Sequence, residues 1–194
     1  QADELVTFLD DAEADIQLLS HSFALDYYLS LAQTGASAEA VAAAKTAVQS
    51  EFLNFAQIHP IYDQISFLDA SGQEIVRIDS SSAGASTAIT GDALQNKASR
   101  PYFAETAAKS AGEIYISPLE LNAEQGMIER PFTPVIRYGM PLYHAGELQG
   151  VVVTNVLADN FLQPLITQDR TYYLVDQNGY FLFHPDPDKR WARD

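Results

Sequence analysis

Apolar residues recur along the first thirty positions at alternating intervals of four and three: Leu5, Leu9, Ala12, Ile16, Leu19 and Phe23. That spacing is a heptad seam and predicts one long amphipathic helix from Ala2 to Leu31. Asp3, Glu4, Asp10, Asp11, Glu13 and Asp15 crowd its other faces near the start, where acidic side chains complement a helix dipole. The stripe either packs on the chain's own domain or forms a two-chain seam of about three heptads. Gln33-Thr34-Gly35-Ala36 ends this helix, and Ser37 is placed to cap the next one. There the stripe Val41, Ala44, Val48, Phe52 and Phe55 runs on to a stop at Pro60.

The pattern then changes to strand-like runs. Ile65-Ser66-Phe67-Leu68 and Gln73-Glu74-Ile75-Val76-Arg77-Ile78 flank Asp69-Ala70-Ser71-Gly72, a hairpin in which Asp opens the turn and Gly supplies the positive φ. The same unit recurs as Tyr172–Val175, Asp176-Gln177-Asn178-Gly179 and Tyr180–His184. Two such hairpins about a hundred residues apart predict two related modules in tandem, although hairpins of this kind are common. An isolated two-stranded hairpin is marginal in water, so the second module is expected to be cut short or supported by the long helix. Between the hairpins, Ser80 to Gly91 reads as a mobile surface loop. A short helix is expected at Arg100-Pro101-Tyr102-Phe103 and a strand at Glu113–Ser117. A turn over Pro141–Leu148 joins Val135–Met140 to the β-prone Gly150–Val156. Ala158 to Leu165 reads as a linking helix with Pro164 near its end. The fold class is α+β: helices first, then an antiparallel sheet of about five strands with one helical insertion.

Composition removes several function classes. A net charge of -15 over 194 residues argues against nucleic acid and against direct docking on anionic lipid. With no cysteine, disulfides and thiolate metal sites are impossible. No apolar run nears the ~20 residues that span a bilayer, and the chain is expected to be a piece of a longer protein. The four histidines, His21, His59, His144 and His184, are scattered without metal-site spacing. There is no nucleophile elbow and no Gly-rich phosphate loop. Asp176–Gly179 fits a plain turn better than a calcium loop. No catalytic residue, metal or cofactor is therefore expected. What stands out is Arg100 beside Tyr102 and Phe103 with no acid next to it in sequence. A lone guanidinium beside rings suits a small anionic or zwitterionic ligand; the alternative is an internal ion pair with a buried Asp or Glu.

At Arg100-Pro101-Tyr102-Phe103, Ile114-Tyr115-Ile116-Ser117-Pro118 and Gly72–Asp79 the chain resembles the double CACHE family of extracytoplasmic, PAS-like sensor domains. Pro134-Val135-Ile136-Arg137-Tyr138, Pro141-Leu142-Tyr143 and Gly150–Val156 extend the likeness, in order, over most of residues 1–185. The resemblance implies a helical stalk and packing helix at 1–59 and a membrane-distal, ligand-binding PAS-like module of five strands at 60–157. A linker helix and the start of a membrane-proximal module would occupy 158–194. It implies the periplasmic part of an inner-membrane receptor, most simply a sensor histidine kinase, with a diguanylate cyclase or chemoreceptor as the alternative. A homodimer through the N-terminal helix is also implied, with the membrane reached only through flanking spans. Carried over, the ligand residues are Arg100, Tyr102, Phe103, Tyr115, Ser117, Arg137 and Asn155. Asn155 stands where amino-acid binders of the family carry an Asp, and a neutral amide cannot neutralise a buried ammonium. The expected ligand is therefore a small carboxylate or similar polar metabolite. Arg130 and Arg137 could add an anionic contact or be structural ion pairs, and Arg77 reads as structural. An enzyme of PAS-like shape and a purely structural or partner-binding module are the competing classes.

Overall fold

The computed structural model describes residues 2–81, 84–124, 126–163 and 172–191. The predicted first helix is two: α1 (Ala2–Ser20) and α2 (Phe23–Gln33). Ser22 adopts an extended backbone, and its hydroxyl accepts the Leu25 N–H at 3.2 Å. A serine cap thus starts a new helix where the heptad continues unbroken. The seam divides accordingly. Ala12, Ile16 and Leu19 are buried in the chain's own core, whereas Phe23, beyond the break, is 83% exposed. Ser37 caps α3 (Ala38–Ile58) through the Ala40 N–H at 3.2 Å, as its position predicts, and Ala44, Val48 and Phe52 are buried.

These helices cover one face of an antiparallel sheet. Its long strands are β1 (Tyr62–Asp69), β2 (Glu74–Ser80), β3 (Ser86–Ile89), β8 (Pro134–His144) and β9 (Glu147–Leu157). Two short strands, β4 (Tyr115–Ile116) and β5 (Glu120–Leu121), both pair with β8, so the sheet has seven strands in the order β3-β2-β1-β9-β8-β4, with β5 beside β8. β3 lies in the expected loop over Ser80–Gly91. Its four residues, Ser86-Thr87-Ala88-Ile89, are too few to show a strand pattern, but its backbone completes the edge against β2. The turn over Pro141–Leu148 is also tighter than expected. β8 and β9 meet at Ala145-Gly146, both at positive φ (50° and 84°), and Pro141 lies inside β8. β4 has ended before that level, leaving an open edge where a missing N–H is tolerated.

Ile65, Phe67, Val76, Ile78, Tyr138, Met140, Val152 and Val156 face the helices. On the opposite face, α4 (Pro101–Ala107) packs Tyr102 and Phe103 on Leu68, Val151 and Val153. Cover on both faces explains why Gly150–Val156 reads as a continuous apolar run and not as an alternation. A side chain at Gly139 of β8 would collide with Thr106 of α4, so that helix lies directly on the strand. On the helical side, the Tyr62 hydroxyl donates to Asp15 at 2.7 Å and ties β1 to α1. A separate hairpin, β6 (Ala123–Glu124) with β7 (Met127–Ile128), lies in the connection leading to β8.

The linking helix α5 spans Asp159–Leu162; Pro164 lies outside the described residues. β10 (Leu174–Val175) and β11 (Phe181–Phe183) form the second hairpin. Its Phe183 packs on Ala158 and Leu162 with Leu119 alongside, and α1 joins through the rings of Phe8 and Phe161, 5.7 Å apart. The hairpin therefore leans on the linker, and the linker in turn meets the long helix. No helix among the described residues is long and apolar enough to cross a membrane.

Candidate functional site

The turn at Gly72 and the entry to α4 set the frame. The Gly72 carbonyl accepts the Lys97 N–H at 2.7 Å, and the Glu74 N–H donates to Gln95 at 2.9 Å, so residues 95–97 run along the end of β2. Arg100 then takes the N-cap position of α4 with an extended backbone, and Pro101 fills the first turn, where its missing N–H costs nothing. The half-buried Arg100 guanidinium lies 6.0 Å from the Tyr102 ring centre and makes no ion pair with a described residue. It borders a cavity of about 430 Å³ lined by Gln95, Asn96, Lys97, Ser99, Pro101 and Gly126.

The other expected residues gather beneath α4. Arg137 on β8 is buried with its guanidinium 5.2 Å from the Tyr102 ring centre. Burial pushes the Tyr102 hydroxyl up to about 12, and the charges of Arg137 and Arg100 pull the other way. Tyr115 packs beside Tyr102 and Phe103, its hydroxyl pushed up by burial and then by Glu120. Ser117 is committed to the sheet: its hydroxyl accepts the Arg137 N–H at 2.9 Å and donates to the Pro118 carbonyl at 2.7 Å. Asn155 is paired across the ladder with Arg137 and favours the charged form of Asp63, whose Oδ2 accepts from Asn122 Nδ2 at 3.1 Å. It does not line the cavity beside Arg100. The structure thus brings Tyr102, Phe103, Tyr115, Ser117, Arg137 and Asn155 to one face of the sheet and leaves Arg100 at its edge.

The groups that sequence reading did not single out are the partners. Arg137 pairs with Glu120 and donates to Asn122 Oδ1 at 2.7 Å. Arg77 grips Asp79 through two bonds of 2.7 and 2.9 Å and reaches Glu124 at 3.3 Å, in keeping with a structural role. Lys97 reaches Glu124 at 3.2 Å and lies 3.8 Å from Glu74. Burial opposes the charge on Glu124, but Arg77 and Lys97 outweigh it and hold its carboxyl below the usual range. Burial instead raises Glu74, against the Gln95 N–H, Arg77 and Lys97. Asp63 is raised to about 6 by burial and then by Glu129 and Asp79, with Asn155 and Arg137 opposing. It borders a second cavity of about 600 Å³ with Asp159, Phe132 and Pro134. Arg130 stacks over Phe132 at 3.7 Å. Glu120, Asn122, Glu124 and Glu129 all come from the irregular segment before β8, where no period marks them; only its acidity is visible in sequence.

This architecture has known counterparts. The extracellular domain of vpHK1S-Z8, a protein assigned as a histidine kinase, matches with a TM-score of 0.83 and 26% identity over 97% of this chain and 66% of that one. A domain of a sensory box/GGDEF family protein from Vibrio parahaemolyticus matches with a TM-score of 0.83 and 26% identity over 97% of this chain and 69% of that one. The ligand-binding domain of the Campylobacter jejuni chemoreceptor Tlp3, in complex with 4-methylisoleucine, shares the fold at 13% identity, with a TM-score of 0.66 over 95% of this chain and 65% of that one. The chain thus spans about two thirds of the length of these domains. No curated protein sequence matches it. The profile of the bacterial histidine kinase sensor domain matches residues 10–193. By that match over nearly its whole length, the chain belongs to the bacterial histidine kinase sensor domain family.

Proposed function

We propose that this sensor domain is the periplasmic, ligand-binding part of an inner-membrane signalling receptor, a histidine kinase first and a diguanylate cyclase or chemoreceptor second. Its ligand is a small carboxylate or similar polar metabolite, held between Arg100 and the α4 side of residues 60–157, with residues 158–194 opening a second module. Tyr102, Phe103, Tyr115, Ser117, Arg137 and Asn155 shape and support the site. Binding shifts a population between two receptor states through α1, in a homodimer joined along the N-terminal helices. Exposed Val6 and Leu18 on α1, with Phe23 and Tyr27 on α2, favour a partner there.

One observation carries the ligand reading: Arg100 borders a cavity without a described counter-ion, whereas Arg77, Lys97 and Arg137 are all paired. An uncompensated guanidinium at a cavity edge is a ready-made carboxylate fork. A thermal-shift screen of carboxylates, amino acids and amines tests it, because a ligand at 100 times its Kd adds about 2.7 kcal/mol of stability. Arg100→Ala should remove about 1.5–3 kcal/mol or more of binding free energy while leaving the melting temperature of the free domain nearly unchanged. Undiminished binding by the variant overturns the assignment.

Asp63 favours a second reading. Its charged form is favoured by Asn155, and it supplies the negative charge that Asn155 itself lacks. An amine or amino acid is then the ligand, and stabilisation by amines but not by simple carboxylates selects this reading.

A further inference from the structure

Three donors from separate positions converge on one carboxylate oxygen. Gln95 Nε2, Lys97 Nζ and Arg77 NH1 lie 2.9, 3.2 and 3.3 Å from Glu124 Oε2. Such a nest of one amide and two cations is what a protein builds for a bound anion. Here the anion belongs to the β6–β7 hairpin, whose two-residue strands pair with each other and not with the main sheet. Gly126, in the turn of that hairpin, lines the cavity that Lys97 and Arg100 also border. The hairpin therefore borders the cavity, and Glu124 ties it to the donor set.

A second observation bears on exchange. Glu74 Oε1 is buried without a hydrogen bond, 3.6 Å from Arg77 and 3.8 Å from Lys97. Removing one partner of a buried ion pair strands the other charge at a cost of several kcal/mol. Glu74 lowers that cost, because an acceptor without a partner already stands beside both cations when Glu124 leaves. The closed arrangement leaves this one buried acceptor unsatisfied, at a cost to that state.

We propose that the Gln95–Lys97–Arg77 donor set is an anion site that Glu124 occupies from within, and that a ligand carboxylate entering the cavity beside Arg100 takes its place and frees the β6–β7 hairpin. This rests on the carboxylate reading of the Arg100 cavity. It adds a competitor to that site: the ligand must displace an internal carboxylate, so its affinity is lowered by the fraction of molecules in which the hairpin is closed.

Calorimetric titration with malonate tests the exchange in wild type, Glu124→Gln and Glu39→Gln, the last losing the same charge on α3 far from the cavity. Glu124→Gln should bind malonate at least tenfold tighter than wild type, and Glu39→Gln should match wild type. Binding by Glu124→Gln that is no tighter overturns the proposal. If that variant fails to fold, hydrogen exchange of the wild-type protein decides. Malonate should accelerate exchange at the Glu124 and Met127 amides severalfold, and unchanged or slower exchange overturns the proposal. Arg100→Ala separates the two claims. A gain in Glu124→Gln with full binding by Arg100→Ala keeps the exchange and removes the Arg100 fork. Loss of binding in Arg100→Ala without a gain in Glu124→Gln does the reverse.

Discussion

The two Asp-x-x-Gly hairpins are nearly superimposable in chemistry and unlike in consequence. Asp69 Oδ1 accepts the N–H groups of Ser71 and Gln73 at 2.8 and 3.1 Å, and Asp176 Oδ1 those of Asn178 and Tyr180 at 2.8 and 3.0 Å. Gly72 and Gly179 close the turns at φ 81° and 88°. Their surroundings differ. A side chain on Gly72 would meet the backbone of Ala98 at 2.6 Å, whereas nothing lies within 4 Å of one on Gly179. The first turn is thus a support for the segment that carries Lys97 and Arg100. The second is a turn and no more. An identical local motif becomes part of a site only through what is packed on it.

The strongest way to break this comparison is Gly72→Val. A β-branched residue there meets both the positive φ and the Ala98 backbone, for a loss of about 3 kcal/mol in urea unfolding. Ligand affinity should fall with it, because Ala98 adjoins the Arg100 cavity.

A buried carboxylate of the main sheet gives the next test. Burial pushes Asp63 of β1 up to about 6, against about 4 in an unfolded chain. Between those values the folded state binds the extra proton, so this group's contribution falls as pH rises from about 4 to 6. After allowance for its partial exposure, wild type should lose about 2 kcal/mol more than Asp63→Asn between pH 4 and pH 7. Parallel stability curves in the two proteins would remove the buried charge from the account.

The smallest effect belongs to Gly179→Val, which meets the backbone preference alone and should cost about 1 kcal/mol in the same unfolding measurement. A loss equal to that at Gly72 would show that packing against Ala98 contributes nothing and that the two turns are equivalent.

What was legible in the sequence follows the range of the forces involved. The Ser37 cap, both turns and the apolar β9 are written within a few residues of where they act, and they were readable. The Ser22 break was hidden because the four-three spacing runs through it; one hydroxyl decides it. β3 escaped because an edge strand of Ser, Thr, Ala and a single Ile is held by backbone pairing and is too short to show an alternation. The site divides in the same way. The ring and guanidinium cluster at Arg100–Phe103 is contiguous and was visible. Asp79, which holds Arg77, is two residues from it on β2, but Glu124 and Glu120, which reach Arg77, Lys97 and Arg137, come from an aperiodic segment, and only the fold brings them together. Asn155, carried over with Arg100 as a ligand residue, is set by the ladder across from Arg137.

Gly139 carries an implication for how such a receptor changes its preferences. The depth at which α4 rests on β8 is set by an absent methyl group beneath Thr106. Tyr102, Phe103 and Arg100 ride on that helix or at its start. A single added carbon at position 139 would lift them together, resizing the cavity while every residue bordering it kept its identity. A lineage can thus resize that cavity through a position that does not border it.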